Sequence, residues 1–467
     1  MDKSSLPIAV IGAGPVGLAA AAHLARHNMP FVVLEAGASA GAAVRQWGHV
    51  RLFSPWRYSI DREAAALLGE AGWNTPDPET YPTGAELVEH YLEPLAALPH
   101  VKPNVRFGVL VEAVTREGFD KMKTAGRKDA PFLLHIRTDE GEDTLLARAV
   151  IDASGTYQGP NPLGSSGVPA PGERILSSHI TYGTPDMLGA ERARYASKRV
   201  LVIGSGHSAF NALLDLSTLA REVPGTSIVW AIRRSSDGSL YGGGSADQLP
   251  ERARLGAEIS SLVSSGAIRL ITGFKTQRIR LTDRGIVVDG EGSSLPPVDE
   301  IIGATGFRPD LDPLRELRLD LDATVESPKA LAPLIDPNIH SCGTVPPHGV
   351  RELSHPEPDF YMVGMKSYGR APTFLMLTGY EQVRSVVAAL AGDWKAAEQV
   401  ELVLPETGVC STSRDVAGSC CGGSSCEVSI AESQPIALLP TRLGSKGNGP
   451  LLAVTGNAST AASSSCD

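Results

Sequence analysis

Ile8-Ala9-Val10-Ile11-Gly12-Ala13-Gly14-Pro15-Val16-Gly17 decides how the chain is read. Four apolar residues run straight into Gly-x-Gly-x-x-Gly. Leu18 to Arg26 reads as an Ala-rich helix, Phe31-Val32-Val33-Leu34 as a second strand, and Glu35, followed by Ala36, stands at its end. Gly12 permits the tight turn, Gly14 lets the backbone approach a pyrophosphate, and Gly17 lets helix and strand pack closely. Pro15 and Val16 open a helix whose free N–H groups and positive dipole end suit phosphate. Glu35 follows Gly17 by 18 residues, the place from which a carboxylate accepts a hydrogen bond from a ribose 2′-OH. An acid there favours a free ribose, hence FAD or NAD over NADP.

The pattern recurs further on. Arg199-Val200-Leu201-Val202-Ile203 reads as a strand, Gly204-Ser205-Gly206-His207-Ser208-Ala209 is the Gly-x-Gly-x-x-Ala form of the turn, and Phe210 to Leu219 is its helix. Ile228 to Ile232 is the next strand, and Arg233 and Arg234 follow it where the first copy has an acid. Guanidinium groups suit a 2′-phosphate, so the second site is expected to prefer NADPH to NADH. His207 is expected to pack at the turn, without proton chemistry.

Between the two copies, Gly37 to Tyr58 turns from small residues to aromatic and basic ones. It is expected to run along a bound flavin, with Arg45, Trp47, Phe53 and Ser54 as candidate contacts, although a packed surface loop has the same composition. A helix is expected from Ala85 to about Leu98. Val105 to Val111 and Phe132 to Arg137 read as strands of a small antiparallel sheet, and the basic stretch Asp120 to Arg127 as a solvated hairpin tip. Ala149-Val150-Ile151-Asp152-Ala153-Ser154-Gly155 and Glu300-Ile301-Ile302-Gly303-Ala304-Thr305-Gly306 are buried strands ending in small-residue turns. Such turns let a chain pass close to a cofactor, and the two read as crossings between domains. Phe360 to Gly364 is a returning strand. Pro372, Thr373 and Phe374 lead a helix from Thr373 to Leu390 with Pro at its first turn, and Gly392 stops it.

The 467 residues allow two or three domains, and 42% hydrophobic with 20% charged residues fits an ordinary globular chain. A net charge of −10 argues against nucleic acid or an anionic membrane as partner. The start of the chain enters a strand almost at once, so neither a signal peptide nor a transmembrane segment is expected, and the expected compartment is the cytoplasm. From Pro405 the composition shifts to Ser, Gly, Ala, Thr and Cys, and most of 405–467 is expected to be disordered. Of the six cysteines, only Cys342 precedes the last 58 residues.

Two nucleotide fingerprints with the Asp152–Gly155 and Ala304–Gly306 turns between and after them resemble the two-dinucleotide-binding flavoproteins, and within them the class B flavin-dependent monooxygenases. The resemblance covers about 1–400. It implies an α/β fold of two Rossmann-like domains, a discontinuous FAD domain (1–189 and 303–400) and an inserted NADPH domain (190–302), followed by a low-complexity tail (401–467). It places Gly12, Gly14, Gly17, Glu35, Ala153, Gly155, Gly364 and the Pro372–Phe374 segment at FAD, and Gly204 to Ala209, Arg233, Arg234 and Ala304 to Gly306 at NADPH. Class B enzymes also carry a Phe-x-Gly-x-x-x-His-x-x-x-aromatic linker. The stretch Gly172 to Tyr182 keeps His179 and Tyr182 but has Glu173 and Ile175 in place of Phe and Gly, so the resemblance stops short of Baeyer–Villiger chemistry.

Gly48-His49-Val50-Arg51-Leu52-Phe53-Ser54-Pro55-Trp56, Met365 to Phe374, and Cys410 with Cys420-Cys421-Gly422-Gly423 resemble the flavoprotein monooxygenases of bacterial arsenic-resistance operons. That likeness implies oxidation of arsenite, methylarsenite or antimonite by O₂ through a C4a-hydroperoxyflavin, with no protein acid–base pair required. Thiolates suit soft ions, so Cys410, Cys420, Cys421 and Cys426 are candidate substrate ligands on a flexible arm, and Cys342 a candidate beside the flavin. No resident metal site is expected. Three other readings stay open: an N- or S-oxygenating monooxygenase of a small organic substrate, a disulfide or metal-ion reductase drawing on the tail cysteines, and a flavin-binding sensor without turnover. The absence of Cys from residues 1–341 weighs against the reductase.

Overall fold

The computed structural model describes residues 3–235, 238–241, 250–339, 345–372 and 374–402. In chain order the strands are β1 (Ile8–Ile11), β2 (Phe31–Glu35), β3 (Val105–Phe107), β4 (Leu110–Arg116), β5 (Phe132–Thr138), β6 (Gly141–Ala147), β7 (Ala149–Asp152), β8 (Ile180–Tyr182), β9 (Arg199–Ile203), β10 (Ser227–Ala231), β11 (Arg269–Ile271), β12 (Arg278–Thr282), β13 (Gly285–Asp289), β14 (Glu300–Gly303) and β15 (Phe360–Met362). They build two five-stranded parallel sheets on one plan. The first runs β15-β7-β1-β2-β3 and the second β11-β10-β9-β14-β8, with the fingerprint strand at the centre of each.

Layering repeats as well. Ile8, Val10, Val33 and Ile151 on one face of the first sheet meet the helices Pro15–Arg26 and Met376–Leu390. Ala9, Val32, Val150 and Phe360 on the other face meet the antiparallel sheet β4-β5-β6. In the second sheet, Val200, Val202, Trp230 and Ile302 meet the helices His207–Glu222 and Pro250–Ser264. Leu201, Val229 and Ile301 meet the hairpin β12-β13. Successive strand residues point to opposite faces, so a strand covered on both sides reads as an unbroken apolar run. Ala19, Ala20, Ala21 and Ala22 have no exposed surface; side chains this small let their helix lie close against its neighbours.

Several expectations are corrected. Val105 to Val111 is not one strand: Val105–Phe107 pairs in parallel with β2, and the antiparallel sheet begins at Leu110. Ile180–Tyr182, expected in the first domain segment (1–189), is the edge strand of the second sheet, paired with β14. In the first sheet the corresponding edge is supplied by the last strand, β15. Strand 180–182 thus pairs with the second sheet while lying on the first-segment side of the expected boundary at 190. Arg127 is not a solvated tip residue but is 2% exposed, ion-paired with Glu357. The helix expected from Ala85 is Gly84–Leu87, a π turn at Val88–Leu92, and Glu93–Ala96. Pro94 has no N–H to give His90, and the Trp73 indole donates to that carbonyl instead, at 2.9 Å. The last long helix begins at Met376 with Leu375 as its N-cap, so Pro372 precedes it and is not in its first turn.

Candidate functional site

The carboxyl ends of β1, β2, β7 and β15 lie side by side, and each carries a residue singled out in the sequence: Gly12, Glu35, Ala153 and Gly364. The chain passes from β1 to β2 on one side and returns through β7 on the other. A crevice at such a switch point is where open α/β sheets bind ligands.

The three glycines answer to different neighbours. Gly12 has φ +98°, and a Cβ there would lie 2.8 Å from the Ala153 carbonyl oxygen. A Cβ on Gly17 would run into the Gly12 carbonyl. Gly14 has φ −78°, and nothing lies within 4 Å of where its Cβ would be. The fold needs Gly12 and Gly17 for its own packing, whereas the space beside Gly14 is open. Gly14 is also the N-cap of a helix that no side chain caps, so the N–H groups of its first turn face that space. A dinucleotide pyrophosphate fits this cradle.

Glu35 is already engaged: Oε2 accepts from Ala13 N at 2.6 Å and Oε1 from Gly37 N at 2.8 Å. The carboxylate thus ties the glycine turn to the loop after β2 and keeps further lone pairs for a ribose hydroxyl. Exposed Ala36 comes next, and Gly155 has φ +71° with open space at its Cβ. A Cβ on Gly364 (φ +67°) would press on Val16 at 3.2 Å, which brings the β15 turn to the first helix. Phe374 packs against Tyr368 at 5.1 Å between ring centroids. The other flavin candidates divide. Ser54 is buried, and Phe53 lies 5.0 Å from the ring of His207, joining the loop of the first unit to the turn of the second. Arg45 is exposed and ion-paired with Glu93. Trp47 packs where a Gly84 Cβ would be, an internal contact. Thr373, Cys342, Cys410, Cys420, Cys421 and Cys426 lie outside the described residues.

The second cradle copies the first. Gly204 has φ +134° and its Cβ would collide with the Ala304 carbonyl. Gly206 is open, and it is the N-cap of the His207–Glu222 helix, again without a side-chain cap. Ser205 and Ser208 are half-buried and Ala209 is buried, close to the sheet. Arg233 is exposed. Arg234 is half-buried, with Nη2 at 3.4 Å from the Leu240 carbonyl and a buried Nε that has no partner among the described residues. An orphaned guanidinium N–H is costly unless a ligand oxygen meets it, and a phosphate fits. Thr305 Oγ donates to the Asn161 carbonyl at 2.5 Å, and Gly306 has φ +82°.

Two supports were not found by sequence reasoning. Lys366 and Asp152 form a buried ion pair of 2.7 Å, with side chains 3% and 1% exposed, and Lys366 Nζ also donates to Ser154 Oγ at 3.0 Å. Ser154 Oγ in turn donates to Asp152 Oδ1 at 2.6 Å. This network clamps the turn that faces Gly12. Its only signal was an acid at the end of an apolar strand and a single lysine in the turn after β15. Gln382, buried in mid-helix, accepts from Gly364 N at 2.7 Å and lies 2.9 Å from both Ser367 Oγ and His348 Nε2. Burial pushes the His348 imidazole down and keeps it neutral. Among the described residues no His, Cys, Asp and Glu cluster could hold a metal ion, and no helix is long and apolar enough to cross a membrane.

Residues 9–338 match the family described as pyridine nucleotide-disulphide oxidoreductase. An indole-3-pyruvate monooxygenase (YUCCA1) of Oryza sativa is 33% identical over 213 residues, which are 44% of each chain. The chain thus spans under half the length of that relative. The solved bacillithiol disulfide reductase of Bacillus cereus superposes with a TM-score of 0.60 at 19% identity, over 83% of this chain and 99% of that one. A flavin monooxygenase mutant from Stenotrophomonas maltophilia superposes with 0.53 at 24% identity, over 82% and 99%. These likenesses show the fold.

Proposed function

The chain belongs to the pyridine nucleotide-disulphide oxidoreductase family, and from that premise we propose an NADPH- and FAD-dependent monooxygenase that oxidises trivalent arsenicals. Arsenite and methylarsenite are the proposed substrates and the pentavalent oxides the products. The relatives include proteins named as monooxygenases. One observation carries the choice of oxygen transfer over disulfide reduction: residues 1–341 contain no cysteine. A redox thiol pair would have to be drawn from Cys342 and the cysteines after residue 409.

FAD is assigned to the first cradle and NADPH to the second, so the domain between the crossings is the NADPH domain. When bound, FAD together with NADPH would supply an electrophilic oxygen atom from O₂. The protein's part is binding. The Gly12–Gly17 turn and its helix end hold the FAD pyrophosphate, and Glu35 holds a ribose. Lys366, Asp152 and Ser154 fix the turn opposite Gly12. Arg234, with Arg233 at the rim, receives the NADPH 2′-phosphate. Phe53 and His207, with ring centroids 5.0 Å apart, bring the loop after the first glycine turn against the second glycine turn. An arsenic(III) lone pair needs no proton removed, so no general base is required. The balance is NADPH, H⁺, O₂ and As(III) to NADP⁺, water and As(V) oxide. The tail thiols are the proposed capture arm for the soft ion.

The test is NADPH oxidation and oxygen uptake by the FAD-loaded protein with and without methylarsenite, arsenite, a thioether and an amine, with the arsenic valence measured in the product. Arsenical-stimulated uptake with As(V) formed supports the proposal. Stimulation by the amine or thioether alone moves it to an organic substrate. NADPH-dependent reduction of disulfides without oxygen overturns it.

A further inference from the structure

Beyond that reaction, the structure carries an open hollow beside the two crossings. The segment leaving the first sheet and the segment returning to it run side by side. Gly159 O accepts from Arg308 N at 2.8 Å, Gly306 O accepts from Asn161 N at 2.9 Å, and Pro160 bridges Phe307. Asn161 locks the pair by donating its side-chain amide to the Thr305 carbonyl at 3.2 Å. Against this double crossing lies an open surface hollow of about 400 Å³, within the volume range that holds a small ligand.

We propose that this hollow binds a small organic carboxylate, with Arg308 and Arg174 as counter-charges and its apolar body against Pro160, Pro162, Val168 and Pro169. Arg308 is half-buried. Its Nε donates to Asn161 Oδ1 at 2.8 Å and its Nη2 to the Gly167 carbonyl at 3.1 Å, and among the described residues no carboxylate pairs with it. Arg174 is exposed at the rim, also without an ion pair among those residues. One acid, Glu173, lines the same hollow, but its lone pairs are taken. It accepts from Leu163 N at 2.9 Å, Gly164 N at 3.2 Å, Ala170 N at 2.7 Å and the Tyr182 hydroxyl. Burial and that carboxylate push the Tyr182 phenol up, so it stays a donor. Glu173, which departs from the linker motif, therefore builds the loop that walls the hollow; its charge stays, set against the two guanidinium charges of Arg308 and Arg174. The hollow is also lined by the Arg308 guanidinium, whose Nε and Nη2 are bonded to Asn161 and Gly167, by the exposed Arg174, and by proline and valine surface, of which Val168 is 62% exposed; the two cations suit a carboxylate.

The experiment uses three probes of one shape: phenylacetate, phenylacetamide and phenethylamine, titrated calorimetrically into the full-length protein. Phenylacetate is expected to bind, the amide at least about tenfold more weakly, and the amine not at all. Arg308→Gln and Arg174→Glu are each expected to weaken phenylacetate by at least about fivefold. Arg174 is exposed, so its variant tests the site even where Arg308→Gln fails to fold. Equal binding of acid and amide, no phenylacetate binding up to about 10 mM, or binding unchanged in Arg174→Glu would overturn the proposal. The readout needs neither NADPH nor arsenical, so it stands or fails separately from the proposed reaction.

Discussion

Gly12 and Gly14 sit two residues apart and carry different constraints. At Gly12, a Cβ brings a strained positive φ and a 2.8 Å approach to Ala153 O; Gly12→Ala is expected to cost about 1–3 kcal/mol of stability. At Gly14 the Cβ meets nothing, so Gly14→Ala is expected to keep stability within about 0.5 kcal/mol of the parent. Its FAD retention is expected to fall at least about tenfold, a loss of about 1.4 kcal/mol of binding. Thermal denaturation of the FAD-free proteins and the flavin bound after gel filtration separate the two effects. Equal flavin binding by the Gly14 variant would mean that no ligand uses the open space. His355 offers a pH test. Its Nδ1 accepts from Asp320 N at 3.3 Å while Nε2 is buried without a partner among the described residues. Burial pushes it down to about 4. The folded value lies below the unfolded one, so the neutral form favours folding above pH 6.5. That stability is lost as pH falls from about 6.5 towards 4, by at most about 1.4 kcal/mol per pH unit. His355→Phe is expected to flatten the melting temperature against pH across that window.

Among the elements, the antiparallel sheet β4-β5-β6 is fastened by one acid. Glu357 Oε1 accepts from Arg116 Nε at 2.8 Å and Oε2 from Arg127 Nη2 at 2.9 Å, while Arg116 lies 3.6 Å over the ring of Phe132. All three charged side chains are at most 3% exposed. Burial works to push the Glu357 carboxyl up, but Arg116, Arg318 N and Arg127 hold it below its ordinary range. Its contribution is present above the unfolded carboxyl value of about 4.5 and is lost as pH falls through the lower folded one. Glu357→Gln leaves two buried guanidinium groups short of charge and is expected to cost about 3–5 kcal/mol, read from urea unfolding at pH 7. Below pH 4 the gap to the parent is expected to narrow. The basic stretch 120–127 read as a hairpin tip because composition alone cannot show that a distant acid, 230 residues on, draws one of its arginines inside.

Taken together, the two sheets repeat one arrangement of strand, glycine turn and uncapped helix end, and differ at the end of the second strand: Glu35 stands there in one, Arg233 and Arg234 in the other. If the second cradle reads a 2′-phosphate, Arg234→Ser is expected to raise the KM for NADPH at least about tenfold and leave that for NADH within about twofold. A parallel rise for both nucleotides would assign Arg234 to packing. The Phe53–His207 contact joins the two units; neither residue reads as a pair in the sequence.

Local rules were enough for the strands, both glycine turns, their helices and the acid and basic strand ends. Each is set within about 30 residues by periodicity, turn geometry and backbone hydrogen bonding. Tertiary structure alone decided where the edge strand 180–182 belongs, where Arg127 goes, and that Lys366 holds Asp152. Those choices depend on partners more than 100 residues away. They turn on desolvation, because a buried charge or an unpaired strand edge accepts only a partner that folding delivers, wherever it lies in the chain.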